Sequence, residues 1–135
     1  MDANRRTGGC LCGDVRYSAP AHAMQTAVCH CRNCQKQAGT AFSIIVVHRR
    51  DDVMFQGSPS VYEDHGDSGQ PVWRHFCGRC GSPLYSDTPA ARDQGVIYLK
   101  AGTLDDVSDL APSVHVWTQS KQPWLTLPES VKQSQ

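Results

Sequence analysis

Cysteine is the residue type whose spacing most directly indicates chemistry in this sequence. The seven cysteines fall into three groups: Cys10 and Cys12 in "CLC", Cys29, Cys31 and Cys34 in "CHCRNC", and Cys77 and Cys80 in "CGRC". Ordinary buried cysteines would scatter along a chain without regular spacing, whereas grouped CxxC spacing is a zinc signal. The spacing therefore predicts metal binding, with zinc as the metal.

The pair Cys77 and Cys80 predicts half of a zinc knuckle. Gly78 and Gly81 let the backbone turn tightly, so that both sulfurs can point at one ion. The alternative, a dithiol redox pair, requires a helix that begins at the first cysteine, and Gly81 and Pro83 oppose such a helix. The knuckle is therefore favoured over the redox pair.

A knuckle needs two more ligands, which either "CLC" or two members of "CHCRNC" could donate. Residues two apart on an extended segment point to the same face, so Cys10 and Cys12 can present both sulfurs to one ion. Pairing them with Cys77 and Cys80 closes a four-thiolate site and leaves the triplet intact. The division into four and three is favoured.

Three protein ligands and one exchangeable position are typical of a catalytic zinc site. Cys29, Cys31 and Cys34 would form such a site, in which a small external thiol suits the fourth position. The alternative is that His30, His75 or another side chain fills that position, which would make the site purely structural.

Short apolar or alternating runs separated by Gly, Pro, Ser and Asp predict a chain of many short antiparallel strands. The predicted strands are "VRYSA", "AFSIIVVH", "VMFQG", "VWRHF", "VIYLKAG" and "SVHVWTQS". Helical periodicity is nearly absent. Residues 63–71 are polar and Gly-rich, which predicts an exposed loop between two strands.

Two short helical turns are predicted. The first, "RNCQKQAGTA", directly follows Cys31 and stops near Gly39. In the second, Thr103 caps a turn from Leu104 to Leu110 that ends before Pro112.

Length, charge and hydropathy limit the classes of function. The chain has 135 residues, which fits one domain, and its 13 basic and 13 acidic residues give a formal net charge of zero. A chain without net charge exerts no overall electrostatic attraction on nucleic acid. No apolar stretch is long enough for the core of a signal peptide or for a membrane span. We therefore expect a cytoplasmic protein that binds neither DNA nor membranes and whose cysteines stay reduced.

The ordered cysteine groups and their neighbours resemble the glutathione-dependent formaldehyde-activating enzyme (GFA) family, which includes relatives of centromere protein V. The resemblance covers most of the chain from Gly8 to Leu125. It extends through "GGCLCGDVRY", "CHCRNCQKQAGTAF", "HFCGRCGSPLY", "KAGTLDD" and "HVWTQSKQPWL".

The resemblance implies a mainly β fold, the β-tent, built of short antiparallel sheets around zinc with one or two short helical turns. A single zinc-binding domain is expected over residues 8–127, with flexible tails at 1–7 and 128–135. The resemblance implies two zinc ions per chain. Its structural zinc would be held by Cys10, Cys12, Cys77 and Cys80, and its catalytic zinc by Cys29, Cys31 and Cys34.

The activity that the resemblance implies is carbon–sulfur lyase chemistry, in which glutathione and formaldehyde are joined to S-(hydroxymethyl)glutathione or the adduct is cleaved. This chemistry requires hydrogen-bond donors that stabilise the developing alkoxide. His30, Arg32 and Gln35 are candidates, because they lie close to the ligands in sequence. Four cationic residues flank the metal motifs: Arg32, Lys36, Arg74 and Arg79. Each is either a candidate for binding a carboxylate of glutathione or an ordinary surface charge.

The competing hypothesis is a non-enzymatic zinc-binding module with two structural sites and a partner-binding surface. Its motivation is the set Trp73, Trp117 and Trp124, which would form an exposed patch if these side chains were not core residues. A homodimer formed through an exposed strand edge is compatible with either hypothesis.

Overall fold

The structure is a computed structural model and describes residues 4–66 and 68–134. In this part of the chain, eleven short strands, two α-helices and three single-turn 3₁₀ helices form. The strands are β1 (Arg5–Gly9), β2 (Arg16–Pro20), β3 (Gln25–Cys29), β4 (Ser43–Arg49), β5 (Met54–Gln56), β6 (Ser60–His65), β7 (Pro71–Phe76), β8 (Pro83–Asp87), β9 (Val96–Lys100), β10 (Val114–Val116) and β11 (Lys132–Gln133). The α-helices are α1 (Arg32–Ala38) and α2 (Pro89–Gln94), and the 3₁₀ helices are Arg50–Asp52, Ala101–Thr103 and Thr118–Ser120.

The strands form two sheets, which confirms the predicted mainly β class. The smaller sheet has the order β1-β2-β5 and the larger has the order β11-β10-β3-β4-β9-β8-β7-β6. All six predicted strands are present, and most pairs are antiparallel as expected. The exceptions are β10 with β3 and β10 with β11, which pair in parallel. Parallel pairing is possible here because long connections bring β10 and β11 back to the edge of the sheet.

The main apolar core lies where the two sheets face each other. Tyr17 and Ala19 of β2 pack in one buried cluster with Val46 of β4 and with Ile97 and Leu99 of β9. Because side chains alternate across a strand, the residues between these on β4 and β9 face the opposite side of the large sheet. That opposite side carries the candidate site.

Helix α1 confirms the first predicted helical turn. Cys31 is its N-cap, and the Cys31 sulfur accepts a hydrogen bond from the backbone N–H of Cys34. Gly39 ends the helix in the left-handed conformation with φ 72°. The helix thus fixes two cysteines of the triplet one turn apart.

The second predicted helical turn, from Leu104 to Leu110, is wrong. Thr103 belongs to the preceding 3₁₀ helix, and its hydroxyl donates to the Lys100 carbonyl and shares a hydrogen bond with Tyr17. Leu104 forms a bridge with Gly8, and the Asp105 N–H donates to the Thr7 carbonyl. Contacts with the small sheet therefore outweigh the local helix signal.

Helix α2 was not predicted, although its signals are present. Thr88 caps it by accepting from the N–H of Ala91, Pro89 occupies its first turn and Gly95 ends it with φ 69°. These are the usual start and stop residues of a short helix.

The hairpin of β6 and β7 replaces most of the polar loop predicted at 63–71. β6 extends to His65 and β7 begins at Pro71, so the connection is shorter than expected. Asp67 lies outside the described residues. Near the two ends of the described chain, β1 begins at Arg5 opposite Pro20, and β11 pairs with β10. Residues 1–3 and 135 lie outside the described part of the chain.

None of the helices in residues 4–66 and 68–134 is both long enough and apolar enough to span a membrane.

Candidate metal centres and the adjoining cavity

The four-cysteine group brings the N-terminal turn and the middle of the chain together. The sulfurs of Cys10, Cys12, Cys77 and Cys80 all lie within 4.8 Å of one another. The Cys10 and Cys12 sulfurs are 3.6 Å apart, and those of Cys12 and Cys77 are 3.7 Å apart. Sulfurs bound tetrahedrally at a zinc–sulfur distance of about 2.3 Å would be about 3.8 Å apart, so this group fits zinc.

Two tight turns create this group, and backbone amides point at its sulfurs. The N–H groups of Arg79 and Cys80 both lie 3.4 Å from the Cys77 sulfur, and the Val15 N–H lies 3.3 Å from that of Cys10. Gly81, with φ 84°, completes the knuckle by donating its N–H to the Cys77 carbonyl. The knuckle was predicted from "CGRC".

The expectation of an extended segment at "CLC" is wrong. β1 ends at Gly9, and the following residues form a turn that Gly13 closes with φ 86° and an N–H bond to the Cys10 carbonyl. The two sulfurs converge because this turn folds them together, and not because they share a strand face.

The triplet forms at the junction of β3 and α1. The sulfurs of Cys29, Cys31 and Cys34 lie within 4.8 Å of one another, and those of Cys34 and Cys29 are 3.5 Å apart. In the described residues, no histidine, carboxylate or fourth cysteine joins the group. The three sulfurs have spacings that fit a zinc ion, with one ligand fewer than a closed structural site.

The triplet opens into a cavity of about 560 Å³. Alternate residues of neighbouring strands line it, as period-two geometry requires: Ala27 and Cys29 on β3, Ser43 and Ile45 on β4, and Tyr98 and Lys100 on β9. Lys132 and Ser134 near the C-terminus and Trp117 after β10 also line it. The open face of the large sheet thus forms a cavity beside the three thiols.

The two histidines considered as a fourth ligand face away from this cavity. His30 is fully buried, and its Nε2 lies 2.8 Å from Nδ1 of His115, with which its ring stacks. His75 stacks on Tyr85, with ring centroids 4.1 Å apart. Both side chains are therefore engaged on the other side of the sheet.

Arg74 is a buried cation in direct contact with the triplet. Its side chain is 4% exposed, its Nε donates to Asp64 at 2.9 Å, and its Nη1 lies 3.9 Å from the Cys34 sulfur. Asn33 of α1 also donates to Asp64. This chain of contacts ties the β6–β7 hairpin to the helix that carries Cys34.

Lys100 is a second buried cation in the same cavity. It is 7% exposed, and its Nζ donates to Ser43 Oγ at 2.8 Å. Burial lowers the pKa of Lys100, while the nearby Cys34 thiolate opposes that effect. Among the described residues that line the cavity, Arg74, Lys100 and Lys132 are cationic and none is acidic.

The thiols of the triplet share their protons unequally. Hydrogen bonds with Cys29 and Cys31, together with the charges of Lys100 and Arg74, lower the pKa of Cys34 to about 2. The same contacts raise the pKa of Cys29, because its proton is held between neighbouring sulfurs. A site that already holds one thiolate in a cationic environment is suited to a divalent metal.

The other predicted donors and cations lie outside this cavity. Gln35 is buried and donates to the carbonyls of His30 and Ser120, so it holds the 118–120 turn against α1. Arg32 donates to Gln35, and Lys36 is exposed on the helix. Arg79 is exposed and pairs with Asp14 at 3.1 Å beside the four-cysteine group. Of the donors and cations proposed from the sequence, Arg74 alone lines the cavity.

Each of the three tryptophans has its own surroundings. Trp117 lines the large cavity, Trp124 lines a shallower one beside α1, and Trp73 lies under the Arg92 guanidinium at 3.9 Å. Trp124 is 68% exposed. These contacts do not support the proposed common tryptophan patch.

Comparisons with known proteins agree with this architecture. The family model described as "Glutathione-dependent formaldehyde-activating enzyme" matches residues 5–120. A Halomonas elongata protein named "Putative glutathione-dependent formaldehyde-activating enzyme" is 30% identical over 126 residues, which cover 89% of this chain and 79% of that protein.

A crystal structure of a Rhodobacter sphaeroides protein has a TM-score of 0.59 and 18% identity, covering 76% of this chain and 91% of that one. At this identity the likeness concerns the fold alone. The family match includes all seven cysteines and ten of the eleven described strands, all except β11, and the resemblance inferred from the cysteine motifs is confirmed. The chain belongs to the glutathione-dependent formaldehyde-activating enzyme family.

Proposed function

We propose that this protein is a zinc-dependent carbon–sulfur lyase of the S-(hydroxymethyl)glutathione synthase type. It would join a glutathione-type thiol to formaldehyde, or cleave the adduct. The observation that carries the proposal is the position of three converging thiols, without a fourth ligand in the described residues, at the wall of a cavity of about 560 Å³. Three protein ligands and one open position are typical of catalytic zinc.

The two cysteine groups take different roles in this proposal. Cys10, Cys12, Cys77 and Cys80 would hold a closed, structural zinc that joins the N-terminal turn to the knuckle. Cys29, Cys31 and Cys34 would hold the catalytic zinc. Zinc in this second site would supply an open position that favours the thiolate form of a small thiol.

The cavity residues supply charge and orientation. Three ligand thiolates would leave the loaded site with a formal charge of minus one, and the buried cations Arg74 and Lys100 offset it. Lys132 lies in the cavity lining on the C-terminal strand, where it could meet a carboxylate of a thiol such as glutathione. Ile45, Val72 and Val116 give part of the wall an apolar surface, beside polar residues such as Ser86 and Thr88.

The proposal is tested on cobalt-substituted protein titrated with glutathione. A thiolate that enters the triplet site changes the cobalt charge-transfer and ligand-field spectrum, and the change should saturate with one thiol per chain. Cys31→Ser protein, which lacks one ligand of this site, should lose that response and retain the signal of the four-cysteine site.

An unchanged spectrum in the wild type would contradict the proposal and favour the non-enzymatic module with two structural sites. Catalysis is then measured as exchange between ¹³C-formaldehyde and its thiol adduct by NMR. Acceleration by the zinc-loaded protein is the expected result. Thiol binding without acceleration would identify a thiol-binding module and contradict the lyase.

A further inference from the structure

Lys100 is the buried cation whose hydrogen-bonding capacity is least used. A lysine ammonium carries three N–H donors, and in residues 4–66 and 68–134 Ser43 Oγ is its only hydrogen-bond acceptor. The residue is 7% exposed. Burying a charged group with donors to spare is costly unless another partner is met, so the position indicates a polar partner in the cavity.

The strand register places Lys100 beside the triplet. Cys29 lies directly opposite Ser43 in the β3–β4 pair, and Lys100 lies opposite Ile45 in the β4–β9 pair. Because Ser43 and Ile45 are two residues apart, all four side chains share one face of the sheet. The bond to Ser43 therefore holds the Lys100 ammonium next to the end of β3 that carries a metal ligand.

Arg74, the other buried cation, makes different contacts. Its Nε is bound to Asp64, and its Nη1 contacts the sulfur of Cys34. Arg74 therefore contacts a cysteine of the triplet and an aspartate of the β6–β7 hairpin. Lys100 is bound to a single neutral hydroxyl, which leaves two of its donors for a group that enters the cavity.

We propose that Lys100 is a catalytic residue that donates a hydrogen bond to the aldehyde oxygen as its negative charge develops. This inference rests on the proposed function. When the thiol sulfur attacks, its lone pair forms the carbon–sulfur bond and the carbonyl π pair moves onto oxygen. The thiol releases its proton to solvent when it binds as the thiolate, and the oxygen takes up one proton from solvent, so the protons balance. The reverse steps apply to cleavage.

The test compares wild type with Lys100→Met, which removes the donors and keeps most of the side-chain volume. Lys36→Met is the matched control, because Lys36 is an exposed lysine on α1 outside this cavity. Two thiols are used, neutral 2-mercaptoethanol and anionic 3-mercaptopropionate. Catalysed exchange with ¹³C-formaldehyde gives kcat, and cobalt spectra of the substituted proteins give the Kd of each thiol.

The expected result for Lys100→Met is a loss of about 10²–10³-fold in kcat with both thiols, as for removal of one oxyanion donor. Thiol Kd values should change less than about threefold, because the sulfur and not the lysine anchors the thiol. Lys36→Met should match the wild type. Each variant is checked for two zinc ions and a native circular dichroism spectrum.

If Lys100→Met fails that check, Lys100→Gln is used instead, because the glutamine amide can still form a hydrogen bond to Ser43. The expected result for Lys100→Gln is a loss of at least about tenfold in kcat. An unchanged kcat would overturn the inference. So would a loss confined to the Kd of 3-mercaptopropionate, which would make Lys100 a carboxylate anchor. A wild type that binds no thiol would instead overturn the proposed function and the inference with it.

Discussion

The guanidinium of Arg74 lies with Nη1 3.9 Å from the sulfur of Cys34, inside the protein and opposite its ion pair with Asp64. Asp64 also accepts a hydrogen bond from Asn33, the residue before Cys34 on α1. The β6–β7 hairpin and the helix therefore hold the third cysteine of the triplet from two directions. Groups that orient a metal ligand in this way commonly affect the affinity for the metal as well as the geometry of the site.

Replacing Arg74 with Met should weaken zinc binding at the triplet. The change removes the donor to the Cys34 sulfur and leaves Asp64 without its cation. We expect zinc affinity of this site to fall about 10–100-fold, with the four-cysteine site unaffected. Competition with a chromophoric chelator, which resolves the two ions by the order of release, measures both affinities.

The control for that experiment is Arg79→Met. Arg79 is exposed beside the four-cysteine group, where it pairs with Asp14 and interacts with the Cys12 thiol. This variant should release the triplet ion as the wild type does. Equal release profiles for Arg74→Met and wild type would show that the arginine contact does not stabilise the ligand.

Serine substitutions at the two sites should have opposite consequences for folding. Cys31→Ser removes one zinc ligand, but serine is a good N-cap, so α1 retains the bond now made by the Cys31 sulfur. We expect one zinc ion to be lost, with a native circular dichroism spectrum. In Cys80→Ser the knuckle loses a ligand beside the core cluster of Cys10, Val15, Cys77 and Leu84, and cooperative unfolding should be lost.

Zinc content and thermal unfolding, measured on both variants, separate these outcomes. The prediction fails if Cys31→Ser unfolds as Cys80→Ser does, because both sites would then be structural.

Sequence spacing was sufficient to predict the two cysteine groups, the α1 helix and the six strands, because each depends on local chemistry. Lys100 could not be predicted as a site residue. It ends a strand buried on both faces, and nothing in "VIYLKAG" shows which face meets a cavity. The strand register across β3, β4 and β9 decides this, and register depends on contacts distant in sequence. The turn at "CLC" was missed for a related reason, because it forms against the knuckle.

Gln35, a sequence candidate for a catalytic donor, should behave as a structural residue. Its buried amide donates to two carbonyls, of His30 and Ser120, and accepts from the Gln122 side chain. Gln35→Ala leaves these groups unsatisfied and should lower the free energy of unfolding by about 1–3 kcal/mol. Urea unfolding measures the change. Lys36→Ala, at the exposed neighbouring position, should be neutral within about 0.5 kcal/mol.

A buried histidine far from both metal centres should make stability depend on pH. His48 on β4 is 1% exposed, and its Nε2 has no hydrogen-bond partner among the residues that the structure describes. Burial, aided by the charge of Arg6, lowers the pKa of His48 to about 4. An unfolded histidine titrates near about 6.5. Between these values the unfolded chain binds a proton that the folded protein does not, so the free energy of unfolding falls as the pH is lowered from about 6.5 and levels off below about 4.

The His48 contribution is isolated by comparing the wild type with His48→Leu by urea unfolding at pH 7.5 and at pH 5. Protonation of the metal-binding thiols affects both proteins alike, so the difference between them reports the histidine. His48→Leu should lose less stability on acidification, by a fraction of the ~1.4 kcal/mol per pH unit that one full proton would give. His22→Gln, at an exposed position, should follow the wild type. Parallel pH profiles for His48→Leu and wild type would mean that His48 is protonated equally in the folded and unfolded states.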